Sequence, residues 1–227
     1  MVTGSVGGGD LVLRVDGSRA LSAETVAGLG AVCEAAEDRD VPGFVIVRVS
    51  GVPEPRRTSD LSVPLVSKWE RGLRRLERLP AVTIAVAEGD CGGIALDALL
   101  ATDYRIMPSW ARLIVPMVAG ATWPGMAIYR LVRQAAGAAP ARRAVLFGTP
   151  IGAGPAQAIG LIDEVADNAT VAVEQAMEAA RAAQGAELAI RRQLMLEALT
   201  STFEEALGVH LAACDRSLRR LGVGAAQ

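Results

Sequence analysis

A glycine-rich segment and the acidic residue that follows it are the part of the sequence best suited to chemistry. Gly89, Gly92 and Gly93 follow an apolar run, and a helical pattern begins at Ile94. The first backbone N–H groups of a helix have no acceptor within the helix, so such a turn can hold negative charge that develops on a substrate. Asp97, one turn into the helix, could transfer a proton, although a carboxylate near a helix start is also a common cap or dipole partner. The segment predicts an oxyanion site with one acid–base group beside it.

Residue counts and missing motifs exclude several other reaction mechanisms or argue against them. Neither G-x-G-x-x-G nor G-x-x-x-x-G-K-[ST] occurs, and Lys68 is the single lysine, which argues against a phosphate-binding loop. His210 is the single histidine, so a mechanism with two imidazoles is excluded and a serine or cysteine hydrolase would lack a histidine in the core. The three cysteines are far apart and odd in number, which favours a reduced compartment and predicts no zinc site. Cys91, beside the glycines, is interpreted as a small buried residue.

Composition indicates an ordinary globular protein. The chain has 227 residues, of which 51% are apolar and 21% charged, with a net charge of −2. This charge gives no general attraction to nucleic acid or to an anionic membrane surface. The apolar run at 81–87 is far shorter than the ~20 residues that span a bilayer. We predict a cytoplasmic protein with a disordered tail at 1–9, a core at 10–185 and a C-terminal helical region at 186–227.

Strands that alternate with helices predict an α/β fold built from βαβ units. Ser22 has the position of an N-cap for the first helix, and Pro80 ends the second. The predicted strands are 11–15, 44–49, 81–87, 104–107 and 161–165. The later predicted helices are 65–79, 94–101, a helical stretch from 126 that is broken at 148–154 and at 160, 170–184, and 187–220.

Motifs in this order and spacing resemble the signature of the enoyl-CoA hydratase/isomerase (crotonase) family over about residues 11–205. They are P-A-V-T-I-A-V-A-E-G at 80–89, the glycine-rich turn, Asp97, T-D-Y-R-I at 102–106, V-P at 115–116, W-P-G at 123–125, L-F-G-T-P-I at 146–151 and the segment 156–165. W-E-R at 69–71, G-D-C-G-G at 89–93, the segment 98–106 and R-R-Q-L-M-L at 191–196 look most like the DpgB-type subgroup, which acts in 3,5-dihydroxyphenylglycine biosynthesis.

The resemblance implies a crotonase-like (ClpP/crotonase) ββα superhelix with two roughly perpendicular sheets and a C-terminal helical oligomerisation region. It also implies a homotrimer or hexamer. Apolar residues at spacings of three or four between 188 and 218 fit such an interface, which we place at about 120–220.

The implied site binds an acyl-CoA thioester whose oxygen is held by two backbone N–H groups. One donor falls on Ile94, or on Gly93 if the turn is shifted, with Gly92 lining the site; the other falls on Ser59. The first catalytic glutamate of a hydratase corresponds to Asp97 and the second to Met117, which cannot transfer a proton. Ordinary hydration needs both an acid and a base, so it is not expected here.

Met117 and three further residues are candidates for substrate binding. Arg56 and Arg57 could bind the CoA phosphates, with a solvated loop as the alternative. Trp123 follows the expected acyl pocket, with simple packing as the alternative. No metal or cofactor is expected, since coenzyme A enters as part of the substrate.

The implied function is a dehydration or isomerisation of an acyl-CoA. The enzyme would assist a type III polyketide synthase in forming (3,5-dihydroxyphenyl)acetyl-CoA, with a second crotonase-like enzyme as a further partner that the resemblance implies. The alternative is a non-catalytic partner that binds the synthase or its product and stimulates it. No nucleic-acid or membrane partner is expected.

Overall fold

The computed structural model describes residues 10–40, 43–54, 61–118, 121–122, 125–183 and 185–224. The predicted tail at 1–9 and the predicted site residues Arg56, Arg57, Ser59 and Trp123 lie outside these ranges. The strands are β1 Leu11–Asp16, β2 Phe44–Gly51, β3 Val82–Gly92, β4 Tyr104–Met107, β5 Arg112–Ile114, β6 Met117–Val118, β7 Ala121–Thr122, β8 Ile151–Gly152 and β9 Glu164–Val165. The helices are α1 Ala23–Glu37, α2 Val63–Leu76, α3 Ile94–Leu99, α4 Ala127–Gln134, α5 Ala138–Phe147, α6 Ala153–Ala158, α7 Ala169–Ala180, α8 Ala186–Ala198 and α9 Phe203–Gly224.

Seven strands form one branched sheet, and β6 pairs with β7 in a separate two-stranded sheet. The strands β1, β2, β3, β4 and β9 run parallel in that order. The branch arises because β3 is long: its first half pairs with β4, whereas Cys91 and Gly92 at its end pair with β5. The resemblance implied two roughly perpendicular sheets. In the structure, β3 pairs with strands of both branches, so the two branches belong to one sheet.

Both faces of the sheet are covered by helices. Val45, Val47 and Val49 of β2 face a large apolar core shared with α1, α2 and α3. The alternate residues Phe44 and Ile46 face a second cluster that includes Ala172 and Ala176 of α7. Burial on both faces explains the apolar runs at 44–47 in β2 and 84–87 in β3, which do not alternate with polar residues, and it confirms the α/β prediction.

Several predicted elements are confirmed, and two predictions were wrong in detail. Ser22 caps α1 by accepting a hydrogen bond from the Thr25 amide (3.1 Å). The predicted turn at 88–93 is strand as far as Gly92, because β2 and β5 pair with this segment. The predicted long helix at 187–220 is two helices, α8 and α9.

The break between α8 and α9 has a local cause. Thr202 Oγ1 accepts from the Glu205 amide (3.3 Å), and Glu205 Oε2 accepts from the Thr202 amide (2.8 Å). This reciprocal pair is a capping box, which starts a new helix at Phe203. Of the helices in the described part of the chain, none is both long and apolar enough to cross a membrane.

Candidate functional site

The ends of β1, β2 and β3 converge at the start of α3, and glycines make this convergence possible. A Cβ atom on Gly17 would lie 2.4 Å from the carbonyl oxygens of both Gly51 and Gly92. A Cβ atom on Gly92 would lie 2.9 Å from the Val52 side chain and 3.1 Å from the Ile114 carbonyl oxygen. Any larger residue would push these backbones apart, so the glycines fix the position of the β3–α3 turn.

The turn itself is made by Gly93, whose φ of 54° is accessible to glycine without strain. The first intrahelical bond of α3 runs from the Asp97 amide to the Gly93 carbonyl (3.0 Å). The amides of residues 94–96 precede that bond and therefore have no intrahelical acceptor. Gly92, Gly93, Ile94 and Asp97, four of the residues predicted for the site, thus lie at one strand-to-helix junction.

Ile94 borders a cleft of about 510 Å³ between this junction and the loop after β1. Volumes of this size are typical of small-molecule sites. Arg14, Arg19 and Arg48 line the cleft, and Glu88 lies between two of them. Glu88 accepts from Arg48 (2.5 Å) and from Arg14 (3.5 Å). The cleft therefore carries three arginines that were not predicted from the sequence to bind substrate, together with the acidic residues Asp16, Glu24 and Glu88.

Asp97 is completely buried, with 0% of its surface exposed. A Cβ atom on Gly125 would lie 2.1 Å from Asp97 Oδ2, so the backbone of Gly125 covers the carboxylate closely. No group in the described ranges forms a hydrogen bond of normal geometry with either oxygen. The site thus holds a carboxylate that is shielded from water and, among the described residues, has no hydrogen bond of normal geometry.

Burial raises the pKa of Asp97 to about 6, because a carboxylate in an apolar environment loses its hydration. The positive charge of Arg130 acts in the opposite direction and is the strongest influence that lowers this pKa. The Ala127 amide and the Trp69 indole N–H face the carboxylate and lower its pKa further, although neither completes a hydrogen bond. A carboxylate with this pKa is largely ionised at pH 7 and can accept a proton.

A buried ion network connects α2 and α4 beside Asp97. Arg130 donates two hydrogen bonds to Glu70 (2.8 and 3.0 Å) and one to Glu77 (2.7 Å). These residues were not predicted from the sequence. The available signal was the i, i+7 spacing of the two glutamates, which places them on one face of a helix, together with an arginine in the apolar pattern of α4.

Met117 lies on β6 and is 42% exposed. Its Cε atom is 3.0 Å from the position that a Cβ on Gly148 would occupy. Asp90, the other acidic residue of the glycine-rich segment besides Glu88, is bound by Arg112 through a 2.6 Å ion pair at the surface. Neither residue supplies a free second carboxylate beside Asp97.

The remaining reactive side chains have other roles. Cys91 is fully buried, and burial raises its pKa to about 12, so it carries little thiolate. His210 lies on the exposed surface of α9, with its Nε2 3.4 Å from Cys214 Sγ. In the described ranges, no three histidine, cysteine or acidic side chains form a group that could hold a metal ion.

The T-D-Y-R-I motif is structural. Asp103 accepts from the amide and hydroxyl of Thr83 (2.8 and 2.9 Å) and from Arg192. Arg105 is buried and donates to the carbonyls of Thr102 and Leu161. The motif thus ties β4 to β3 and to later parts of the chain.

Comparison with known proteins defines the class to which this fold and site belong. A family model described as "Enoyl-CoA hydratase/isomerase" matches residues 60–220. A protein of Amycolatopsis orientalis described as "Enoyl-CoA-hydratase" is 56% identical over 212 residues, covering 93% of this chain and 97% of its own. The chain belongs to the enoyl-CoA hydratase/isomerase family.

Solved structures confirm the crotonase-like fold. An enoyl-CoA hydratase/isomerase family protein from Silicibacter pomeroyi has a TM-score of 0.80 at 20% identity, covering 96% of this chain and 99% of its own. An enoyl-CoA hydratase from Bacillus anthracis has a TM-score of 0.80 at 19% identity, covering 99% of this chain and 95% of its own.

Proposed function

We propose that this protein assists a type III polyketide synthase by dehydrating or isomerising an acyl-CoA on the way to (3,5-dihydroxyphenyl)acetyl-CoA. Its membership in the enoyl-CoA hydratase/isomerase family supports an enzyme that acts on CoA thioesters. The observation that carries the proposal is the fully buried carboxylate of Asp97, one turn after the Gly93–Ile94 amides. The position of the second hydratase glutamate is Met117, which suits chemistry that needs one proton-transfer group.

In the proposed reaction, the thioester oxygen accepts a hydrogen bond from the Ile94 amide, and the Ser59 amide is the second donor that the family resemblance implies. Asp97 removes a proton from the carbon next to the thioester, and the electron pair of the C–H bond moves onto the oxygen to give an enolate. Preorganised donors at that oxygen stabilise the developing charge, and one such donor contributes roughly 3 to 4 kcal/mol.

One carboxyl group can complete either reaction. In an isomerisation, protonated Asp97 returns its proton to the γ-carbon as the double bond moves. In a dehydration, it gives the proton to the departing β-hydroxyl, so that water leaves and the carboxylate is regenerated. Because Asp97 has no exposed surface, binding of the acyl group must move the Gly125 backbone off the carboxylate.

The cleft beside Ile94 is the proposed CoA site. Arg14, Arg19 and Arg48 can meet the phosphates of CoA there. Arg56 and Arg57 stay in the proposal as further phosphate contacts, and Trp123 as an acyl contact, on the strength of the family resemblance. We propose no cofactor or metal beyond the CoA of the substrate.

A non-catalytic role is the second candidate, because Asp97 is enclosed and the described part of the chain places no free second carboxylate beside it. The protein would then stimulate the synthase, or a second crotonase-like enzyme, by binding alone.

Crotonyl-CoA tests the assignment of Met117. Hydration adds a proton to one carbon and a hydroxyl to the next, and needs an acid and a base. We expect turnover of crotonyl-CoA at least 10²-fold slower than by a two-glutamate hydratase assayed alongside. The same preparation should change the product distribution of the synthase when the two are incubated with malonyl-CoA. Crotonyl-CoA turnover equal to that of the hydratase would contradict the assignment, and an unchanged synthase product distribution would contradict the proposed function.

We also propose that the protein is a homotrimer or hexamer with its interface at about 120–220. Phe203 is 90% exposed, and Leu207, Leu211 and Leu218 on the same helix are more than half exposed. Contiguous exposed apolar surface of this kind usually marks an interface.

Light scattering tests the assembly. We expect a mass of three or six chains at micromolar concentration, and a lower mass for the Phe203→Glu/Leu207→Glu double variant, because charge at the interface opposes association. Arg71→Glu, a charge reversal at an exposed position on α2 and outside the proposed interface, is the control and should leave the mass unaltered. A stable monomer of the unmodified chain would contradict the proposal.

A further inference from the structure

The ion pair between Glu70 and Arg130 has more hydrogen bonds than are needed to pack α2 against α4. Arg130 is only 7% exposed at its side chain, and both of its terminal nitrogens bond Glu70. Its Nε bonds Glu77, so the guanidinium has two carboxylate partners in a buried position. Burying charged groups costs free energy, and a hydrophobic contact of equal volume often stabilises as well or better. The pair therefore suggests a role beyond stability.

Both helices of the pair border Asp97. Glu70 follows Trp69, a residue that is 1% exposed. The Trp69 indole N–H faces the Asp97 carboxylate and has no hydrogen-bond partner among the described residues. The first residue of α4, Ala127, presents its amide to the same carboxylate, and Arg130 lies one turn later. The charged groups that act on Asp97 are Arg130 from α4, which favours its ionised form, and Glu70 from α2, which opposes it.

We infer that Glu70 and Arg130 are positioning residues that together set the charge state of Asp97. The inference rests on the proposed function, since it assigns these residues to the carboxylate that transfers the proton. Charges interact strongly where water is excluded. If Arg130 had no acidic partner, its full positive charge would lower the pKa of Asp97 and make Asp97 a weak base. If Arg130 were absent, burial would keep the carboxyl protonated. The negative charge of Glu70 offsets part of the positive charge of Arg130. Asp97 can then gain and lose a proton near neutral pH, where an acid–base group works best.

Glu70→Gln tests the inference, because glutamine keeps the shape and can accept a hydrogen bond from Arg130 but carries no charge. The titration midpoint of the Asp97 carboxyl is measured by ¹³C NMR in the full-length protein without substrate, with Asp97→Asn used to assign the signal. We expect the midpoint to fall by about one pH unit. The pH at which α-proton exchange of the acyl-CoA reaches half its maximal rate should fall by the same amount.

Glu77→Gln is the matched control. Glu77 bonds the same guanidinium from the C-cap position of α2, but the charged groups that act on Asp97 are Arg130 and Glu70. If the two glutamates were purely structural, both variants would shift the Asp97 midpoint equally. If Glu70 sets the charge state of Asp97, Glu77→Gln should shift that midpoint less than half as much as Glu70→Gln does. An unchanged or raised midpoint in Glu70→Gln, or an equal shift in Glu77→Gln, would overturn it.

A double variant keeps the inference testable if Glu70→Gln does not fold. Glu70→Gln/Arg130→Gln removes both charges and keeps two side chains that can hydrogen-bond each other. Because Arg130 acts on Asp97 more strongly than Glu70 does, we expect the midpoint to rise; an unchanged midpoint contradicts the inference. The NMR titration is independent of catalysis. If the expected shifts occur but Asp97→Asn keeps full activity, the proposed function fails and the effect of the pair on Asp97 stands.

Discussion

Asp97→Asn should lower the rate of α-proton exchange by about 10²–10⁴-fold, the usual contribution of a positioned acid–base group. Asparagine keeps the size of the side chain but cannot accept the proton as a carboxylate does. The measurement is deuterium uptake from D₂O into (3,5-dihydroxyphenyl)acetyl-CoA. In the unmodified protein, the exchange rate should rise with pH through about 6, where Asp97 ionises.

Asn at this position should also make the protein more stable at pH 8. Asp97 has a folded-state pKa of about 6, above its ordinary value of 3.8. The unfolded chain therefore releases this proton first as the pH rises, and the unmodified protein loses stability between about pH 4 and 6. The shift corresponds to roughly 3 kcal/mol. The variant should gain up to that amount above pH 7 and nothing below pH 4.

Loss of exchange together with a gain of stability separates the two candidate functions. If Asp97 is catalytic, the variant should show both effects. If the protein is a non-catalytic partner, the variant should gain stability and still stimulate the synthase fully. Asp90→Asn is the control, because Asp90 lies at the surface in an ion pair with Arg112. It should leave the exchange rate within twofold of the unmodified protein.

Arg192→Ala should destabilise the folded chain by roughly 3 to 5 kcal/mol, as expected when one member of a buried ion pair is removed. Arg192 on α8 donates two hydrogen bonds to Asp103, both 2.6 Å long. Its nitrogens also donate to the backbone carbonyls of Leu79 (2.6 Å) and Ala81 (3.2 Å). The substitution would leave these acceptors without their donor and free α8 from the core.

Urea unfolding followed by tryptophan fluorescence measures this effect at a fixed protein concentration, because an oligomer unfolds in a concentration-dependent way. The neighbouring Arg191→Ala is the control. Arg191 is exposed, and its Nε donates to the Glu187 carbonyl at 3.4 Å, so the change should alter stability by less than ~0.5 kcal/mol. Equal midpoints for the two variants would show that Arg192 does not anchor α8.

The sequence predicts the parallel core well because periodicity and local signals agree there. The strand at 104–107 matches β4, and the Ser22 cap of α1 is confirmed. The extension of β3 to Gly92 was not predictable, because it depends on pairing with β2 and β5, which are distant in sequence. The α8–α9 break was predictable: T-x-x-E at 202–205 is a capping-box pattern, outweighed by the continuous leucine periodicity.

The candidate site was predicted only where it is local in sequence. Gly92, Gly93, Ile94 and Asp97 lie within one strand–turn–helix, so their convergence follows from the chain itself. The environment of Asp97 depends on Arg130 and Glu70, which tertiary packing brings beside it. No local pattern connects these residues, and their effect on the carboxylate could not be read from the sequence.

The structure of a complex with an acyl-CoA thioester tests the proposed function most directly. The account predicts that the thioester oxygen lies about 2.7–3.1 Å from the Ile94 amide nitrogen, the spacing of an oxyanion donor. It also predicts that Gly125 has moved and that an Asp97 oxygen lies within ~3.5 Å of the α-carbon. A thioester oxygen bound elsewhere, or an acyl group that leaves Asp97 enclosed by Gly125, would contradict the account.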